Sequence, residues 1–142
     1  MASPDQPHGP QTLVERDVTI PASRAIVWGY WTDPARLVTW MGSSARIDPR
    51  AGGELHVEYA NGAVMEGTFV EVREPERLEF TWGWADPAET VQPGASRVEV
   101  VLDDAEGGTR VLLRHLELPE AERRSHAEGW DYFLKRLADA VV

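Results

Sequence analysis

Residues 119–142 read PEAERRSHAEGWDYFLKRLADAVV. Proline is favoured at the first helical position, and Glu120 and Glu122 complement the positive end of a helix dipole. A helix is therefore expected from Pro119 to about Ala140, with Lys135 and Arg136 suiting its negative end. At ~1.5 Å per residue it is about 33 Å long. His126, Trp130, Phe133, Leu134, Leu137 and Val141 form an apolar stripe along it, at helical spacing. A stripe that long and that aromatic must lie on something large. Gly129 interrupts the helical run, and glycine costs about 1 kcal/mol there relative to alanine. That cost points to a close backbone approach, to the underlying surface in preference to a ligand.

The preceding sequence supplies the surface. Between residues 44 and 116, runs of alternating residues are separated by turn signals at short intervals, the pattern of an antiparallel meander. SARID ends at Pro49 and the Gly52-Gly53 pair. ELHVEY sets Leu55, Val57 and Tyr59 against Glu54, His56 and Glu58, and Asn61-Gly62 is a strong hairpin signal. AVMEGTFVEV and RLEFTWGW flank Glu74-Pro75-Glu76, and SRVEVVLDD and TRVLLRHLE flank Glu106-Gly107-Gly108. Residues 86–94 hold two prolines without periodicity and read as a loop. Ahead of the meander, LVERDVTI (13–20) reads as a strand. A short helix follows with Ile26, Val27, Tyr30 and Trp31 on its apolar stripe, stopping at Asp33-Pro34, and a second passes through Leu37 and Trp40.

The order is strand, two short helices, six or so further strands, then one long helix. It predicts an α+β domain in which the helix crosses a curved antiparallel sheet of about six to seven strands. Residues 13–142 form this one domain, and residues 1–12 are expected to be a disordered tail, with three prolines and no apolar run in the first ten. A curved sheet and a straight helix diverge away from their contact line, and the gap between them is a place for a ligand.

Composition narrows the partners. The chain carries 24 acidic and 14 basic residues, a net charge of −10, so its average field repels nucleic acid and anionic membrane surfaces. Cysteine is absent, which removes disulfide frameworks, thiolate metal sites and cysteine nucleophiles and fits a reducing cytoplasm. No run approaches the ~18 apolar residues of a membrane span. No phosphate-cradling glycine loop, nucleophile elbow or metal-binding carboxylate cluster is present, and no metal or cofactor is expected.

The chemistry-bearing residues are mostly aromatic. Phe80, Trp82 and Trp84 alternate along one strand and share a face, towards which Trp130 and Phe133 point by helical phase. Such rings serve a packed core or an apolar cavity equally well. Trp84, where the strand meets the 86–94 loop, is expected at the cavity mouth. Tyr59 faces inward beside the Asn61-Gly62 hairpin, and its hydroxyl calls for a partner, a ligand or a backbone carbonyl. His115 and His126 are both in inward phase and are expected to approach each other, to orient a ligand, move a proton or cap backbone groups. Trp40 and Phe69 complete the expected ligand-facing set of Trp40, Tyr59, Phe69, Phe80, Trp82, Trp84, His115, His126, Trp130 and Phe133. Glu66 is a candidate acid if its strand turns it inward, whereas His56 and Glu58 fit a solvated outer face.

Several segments, in order, carry a resemblance: VWGYWTDP (27–34), WMG (40–42), IDPRAGGEL (47–55), RLEFTWGW (77–84), GGTRVLLRH (107–115) and HAEGWDYFLKRL (126–137). The chain resembles the START-like helix-grip (SRPBCC) superfamily, specifically the bacterial single-domain relatives of the heat-shock protein 90 ATPase activator's C-terminal domain. The resemblance implies a helix-grip fold. It also implies binding of a hydrophobic small molecule, such as a lipid, polyketide or aromatic natural product, in secondary metabolism, self-resistance or stress response, by a monomer or homodimer. The family's diversity leaves two alternatives: a chaperone-docking module like the activator, or a cyclase or hydrolase using Glu66, His115 or Tyr59. The reading favoured here is a binding protein without catalysis.

Overall fold

A computed structural model describes residues 13–141; the expected tail, residues 1–12, lies outside the described residues. The elements are β1 (Leu13–Ile20), α1 (Arg24–Thr32), α2 (Pro34–Leu37), β2 (Ser44–Ile47), β3 (Glu54–Glu58), β4 (Val64–Arg73), β5 (Arg77–Trp84), β6 (Ser96–Ala105), β7 (Gly108–Leu116) and α3 (Glu120–Val141). Among the described residues, seven strands form one sheet in the order β1-β7-β6-β5-β4-β3-β2, every pair antiparallel. Consecutive strands from β2 to β7 are neighbours, because each is joined to the next by a turn or short loop. β1 instead returns to the far edge beside β7.

The period-2 pattern sets the inner face. Leu55 and Val57, Met65 and Phe69, Leu78, Phe80 and Trp82, Val98, Val100 and Leu102, and Val111, Leu113 and His115 are buried. Registry aligns these residues across strands: Phe69 lies opposite Phe80, Phe80 opposite Val98, and Val98 opposite His115. Glu66 is on the other face, its side chain 47% exposed and 3.8 Å from His56. The mixed pattern of β4 is thereby resolved: Met65, Gly67 and Phe69 turn inward until a register shift between Phe69 and Glu71 breaks the alternation.

α3 lies across the inner face. His126, Trp130, Leu134 and Leu137 are buried along it, with Phe133 and Val141 packed partly against the core. Burying each large apolar side chain contributes about 1.5–3 kcal/mol, so this stripe fixes the helix more firmly than its local propensity does. Arg16 of β1 holds Asp131 at 2.6 Å on one side. On the other, the Phe133 ring meets Tyr59 with centroids 5.8 Å apart.

Four local expectations are corrected. Ile26 is 48% exposed, and the buried stripe of α1 is Val27, Trp28 and Trp31. That is a rotation of the expected face, because the tryptophans at 28 and 31 carry more apolar surface than Ile26 and Tyr30 and win the interior. α2 ends at Leu37, leaving Trp40 in the turn beyond it. Lys135 and Arg136 lie more than a turn from the end of α3, and Arg136 Nε instead donates to the Trp40 carbonyl at 3.1 Å. Gly129 makes no close approach: a Cβ built there meets nothing within 4 Å.

Candidate functional site

Beside Gly129 the helix and sheet stand apart. A cavity of about 790 Å³ opens between the N-terminal half of α3, the end of β5 with the loop after it, and the β3–β4 hairpin. Its walls are the rings of Tyr59, Trp82, Trp84, Trp130 and Phe133, together with His126. Its rim is Asn61 and Gly62 of the hairpin, Asp86 and Glu89 of the loop, and Glu122 and Ser125 of α3.

Local sequence explains each edge. Asn61-Gly62 closes the hairpin with Gly62 at φ 91°, the Gly62 N–H donating to the Tyr59 carbonyl at 2.9 Å and Asn61 Oδ1 accepting from Ala63 N. Gly83 lets the 85–94 loop fold back over β5, since a Cβ there would collide with the Gln92 carbonyl. The loop is pinned by Trp84 N–H to the Val91 carbonyl at 2.7 Å, and it is capped by Asp86 Oδ1, which accepts from Ala88 N.

The aromatic wall is continuous. Trp84 sits between Tyr59 and Trp82, 5.7 Å from each by ring centroid, and Trp82 reaches Trp130 at 5.2 Å. Trp84 is half-buried, at the mouth, and its Nε1 points to His126 Nε2 at 3.4 Å.

Behind the wall is a buried polar chain. Trp130 Nε1–H donates to His115 Nδ1 at 3.0 Å, so that nitrogen carries no proton. The neutral ring's proton is then on Nε2 and donated to Ser96 Oγ at 2.9 Å, and Ser96 donates its own to the Trp82 carbonyl at 2.8 Å. Every donor in this chain has an acceptor. Burial, together with neighbouring His126, holds the His115 pKa well below the usual histidine range. A second proton would also set two N–H donors against each other at Trp130. His126 adopts the other tautomer, Nδ1–H donating to the Glu122 carbonyl at 2.8 Å with Nε2 facing Trp84.

Two donors in the wall are left over. The Tyr59 hydroxyl and the Trp82 indole N–H are buried with no hydrogen-bond partner. Burial also pushes the Tyr59 pKa upward, so its hydroxyl stays a neutral donor.

Of the ten residues expected at a ligand, Tyr59, Trp82, Trp84, His126, Trp130 and Phe133 line the cavity. Trp40, Phe69, Phe80 and His115 do not. Trp40 is fully buried edge-on to Trp31 and donates its Nε1–H to the Tyr30 carbonyl, tying α1 to the turn after α2. Phe69 and Phe80 pack edge-to-face, 5.9 Å apart, deeper in the core. His115 is close to His126, with ring centroids 5.4 Å apart, but behind Trp82 and Trp130. The sequence reading missed the rim and Ser96. The rim had a usable signal on α3, where Glu122, Ser125, His126 and Gly129 continue the helical stripe towards its N-terminus. Ser96 likewise stands in phase with Val98 and Val100. Among the described residues, no group of His, Asp and Glu is arranged to hold a metal ion. No described helix is long and apolar enough to cross a membrane.

The family model described as Activator of Hsp90 ATPase homolog 1-like protein matches residues 21–141. The chain belongs to this family. Solved structures with the same fold include an AHSA1-like protein of Rhizobium etli, 37% identical with a TM-score of 0.70, covering 91% of this chain and 81% of that one. DynU16, a protein in the dynemicin biosynthetic locus, is 26% identical with a TM-score of 0.80, over 92% of this chain and 47% of its own. A protein of Mesorhizobium loti is 20% identical with a TM-score of 0.80, over 91% and 96%. No curated protein matches the chain in sequence.

Proposed function

We propose that this AHSA1-like chain is a binding protein that holds a hydrophobic or aromatic small molecule between its sheet and its C-terminal helix. The observation that carries this reading is the cavity of about 790 Å³ walled by five aromatic rings, within the size range of small-molecule sites. The likeness to DynU16, a protein of a biosynthetic locus, supports a natural-product ligand over a structural lipid. Of the residues the cyclase or hydrolase alternative would use, Glu66 is on the outer face and both His115 nitrogens are engaged, which leaves Tyr59 alone at the cavity, its hydroxyl kept neutral by burial. The chaperone-docking alternative rests on the family description alone.

Trp82, Trp84 and Trp130 make the cavity self-reporting. Titration with aromatic polyketides and lipids is expected to change tryptophan emission saturably, and native mass spectrometry of protein from its own host is expected to show a retained small molecule. A flat response across every class, with no retained mass, refutes the reading.

A further inference from the structure

The cavity has two chemically distinct ends. At its mouth stand three carboxylates from two separate segments, Asp86 and Glu89 on the loop after β5 and Glu122 on α3, and among the described lining residues there is no lysine or arginine. At its wall stands Trp82, only 4% exposed, whose indole N–H lacks an acceptor. Tyr59 adds a second unpartnered donor. Between the ends are ring faces, which attract cations as well as aromatic surface. Both His126 ring nitrogens are taken up within the protein, Nδ1–H by the Glu122 carbonyl and Nε2 by Trp84.

Building on the binding reading, we propose that the ligand is an aromatic amine. Its ammonium group lies at the mouth near Asp86, Glu89 and Glu122, its ring lies along Trp84 and Trp130, and its inner end presents an oxygen acceptor to Trp82. Each part answers a separate feature. An anionic ligand meets three like charges at the mouth and no compensating cation among the described lining residues. A pure hydrocarbon leaves the Trp82 and Tyr59 donors unpaired, a recurring cost that an acceptor removes. The net charge of −10 acts in the same direction, raising the encounter rate of cations over anions. Trp84 is the movable part: half-buried, in contact with both Tyr59 and Trp82, and held at its nitrogen only by the long 3.4 Å bond to His126. Its displacement opens the way to the two unpaired donors.

The test is a matched series on one ring: 6-(aminomethyl)-2-naphthol, 6-(hydroxymethyl)-2-naphthol and 6-hydroxy-2-naphthoate, titrated calorimetrically into the full chain. The amine is expected to bind about tenfold tighter than the alcohol, as partly exposed ion pairs and cation–π contacts allow, with the carboxylate weakest. The preference should shrink at high salt. The indole N–H resonance of Trp82, assigned by its disappearance in Trp82→Phe, is expected to move downfield on binding. The double variant Glu89→Gln/Glu122→Gln is expected to bring the amine's Kd up to that of the alcohol. Equal binding of all three compounds, or tightest binding of the carboxylate, overturns the amine assignment and leaves the binding reading standing. Failure of all three to bind or to shift any cavity tryptophan counts against both.

Discussion

Gly129 separates a cavity from a packed core with one methyl group. In a packed interface, a Cβ at a mid-helix glycine has nowhere to go, and Gly129→Ala destabilises through overpacking by ~1–3 kcal/mol. Here the added Cβ meets nothing within 4 Å, and Gly129 sits well inside the 22-residue α3. The substitution should therefore recover the helix-propensity difference of about 1 kcal/mol. An unfolding entropy of ~2.1 cal/mol/K per residue gives about 0.3 kcal/mol/K for a chain of this size, so Tm should rise by about 3–4 °C. Gly129→Leu keeps a good helix former but adds a branched side chain at a position that lines the cavity. It should be at least as stable as wild type and should weaken ligand binding tenfold or more. Thermal unfolding by circular dichroism reads the first effect, and titration of a ligand recovered from the host protein reads the second. A fall in Tm for Gly129→Ala shows that the helix and sheet are closed on each other at this point. Undiminished binding by Gly129→Leu shows that the ligand sits elsewhere.

Acid should weaken the fold through His115. Its native pKa lies below the unfolded value near 6.5, so the penalty is absent above that value and grows as pH falls and the unfolded chain takes up the proton. The loss reaches up to about 1.4 kcal/mol by pH 5.5 relative to pH 8, and urea denaturation should show that slope flattened in His115→Gln; a slope unchanged by the substitution refutes it. Two tryptophans in one wall should respond unequally to loss of the indole N–H. Trp82→Phe removes a donor that has no partner and should be near neutral in stability beyond its lost area, whereas Trp130→Phe strands His115 Nδ1 and should cost a further ~1–3 kcal/mol. Equal losses by urea denaturation refute the hydrogen-bond assignment.

Legibility followed the range of the interactions. Strand alternation, hairpin chemistry at Asn61-Gly62 and the α3 stripe are local, so elements and their inner faces could be read directly. The split of the aromatic set could not. Phe80 and Trp82 are two residues apart on one strand face, yet Phe80 lies opposite Phe69 in the core and Trp82 lies beside open volume. That difference is set by where α3 stands away from the sheet. The alternation is blind to depth, and it placed Phe69, Phe80 and His115 at a ligand although they lie away from the cavity, in the core. Rotation of α1 escaped for a related reason: Ile26 and Trp28 flank the same helical stripe, and only the partner surface chooses between them.

The polar chain behind the wall accounts for why the cavity stays open. An apolar gap of this size would normally shrink as side chains relax into it, since every unfilled surface forfeits dispersion contacts. Trp130 can move towards the gap only by leaving His115, whose other nitrogen is anchored through Ser96 to the β5 backbone at the Trp82 carbonyl. Releasing Trp130 leaves a buried histidine nitrogen unpaired, at ~1–3 kcal/mol. His115 thus shapes the cavity without lining it, as the post to which the Trp130 ring is fixed. Its position in the inward phase of β7, which suggested a ligand contact, is what such a post requires.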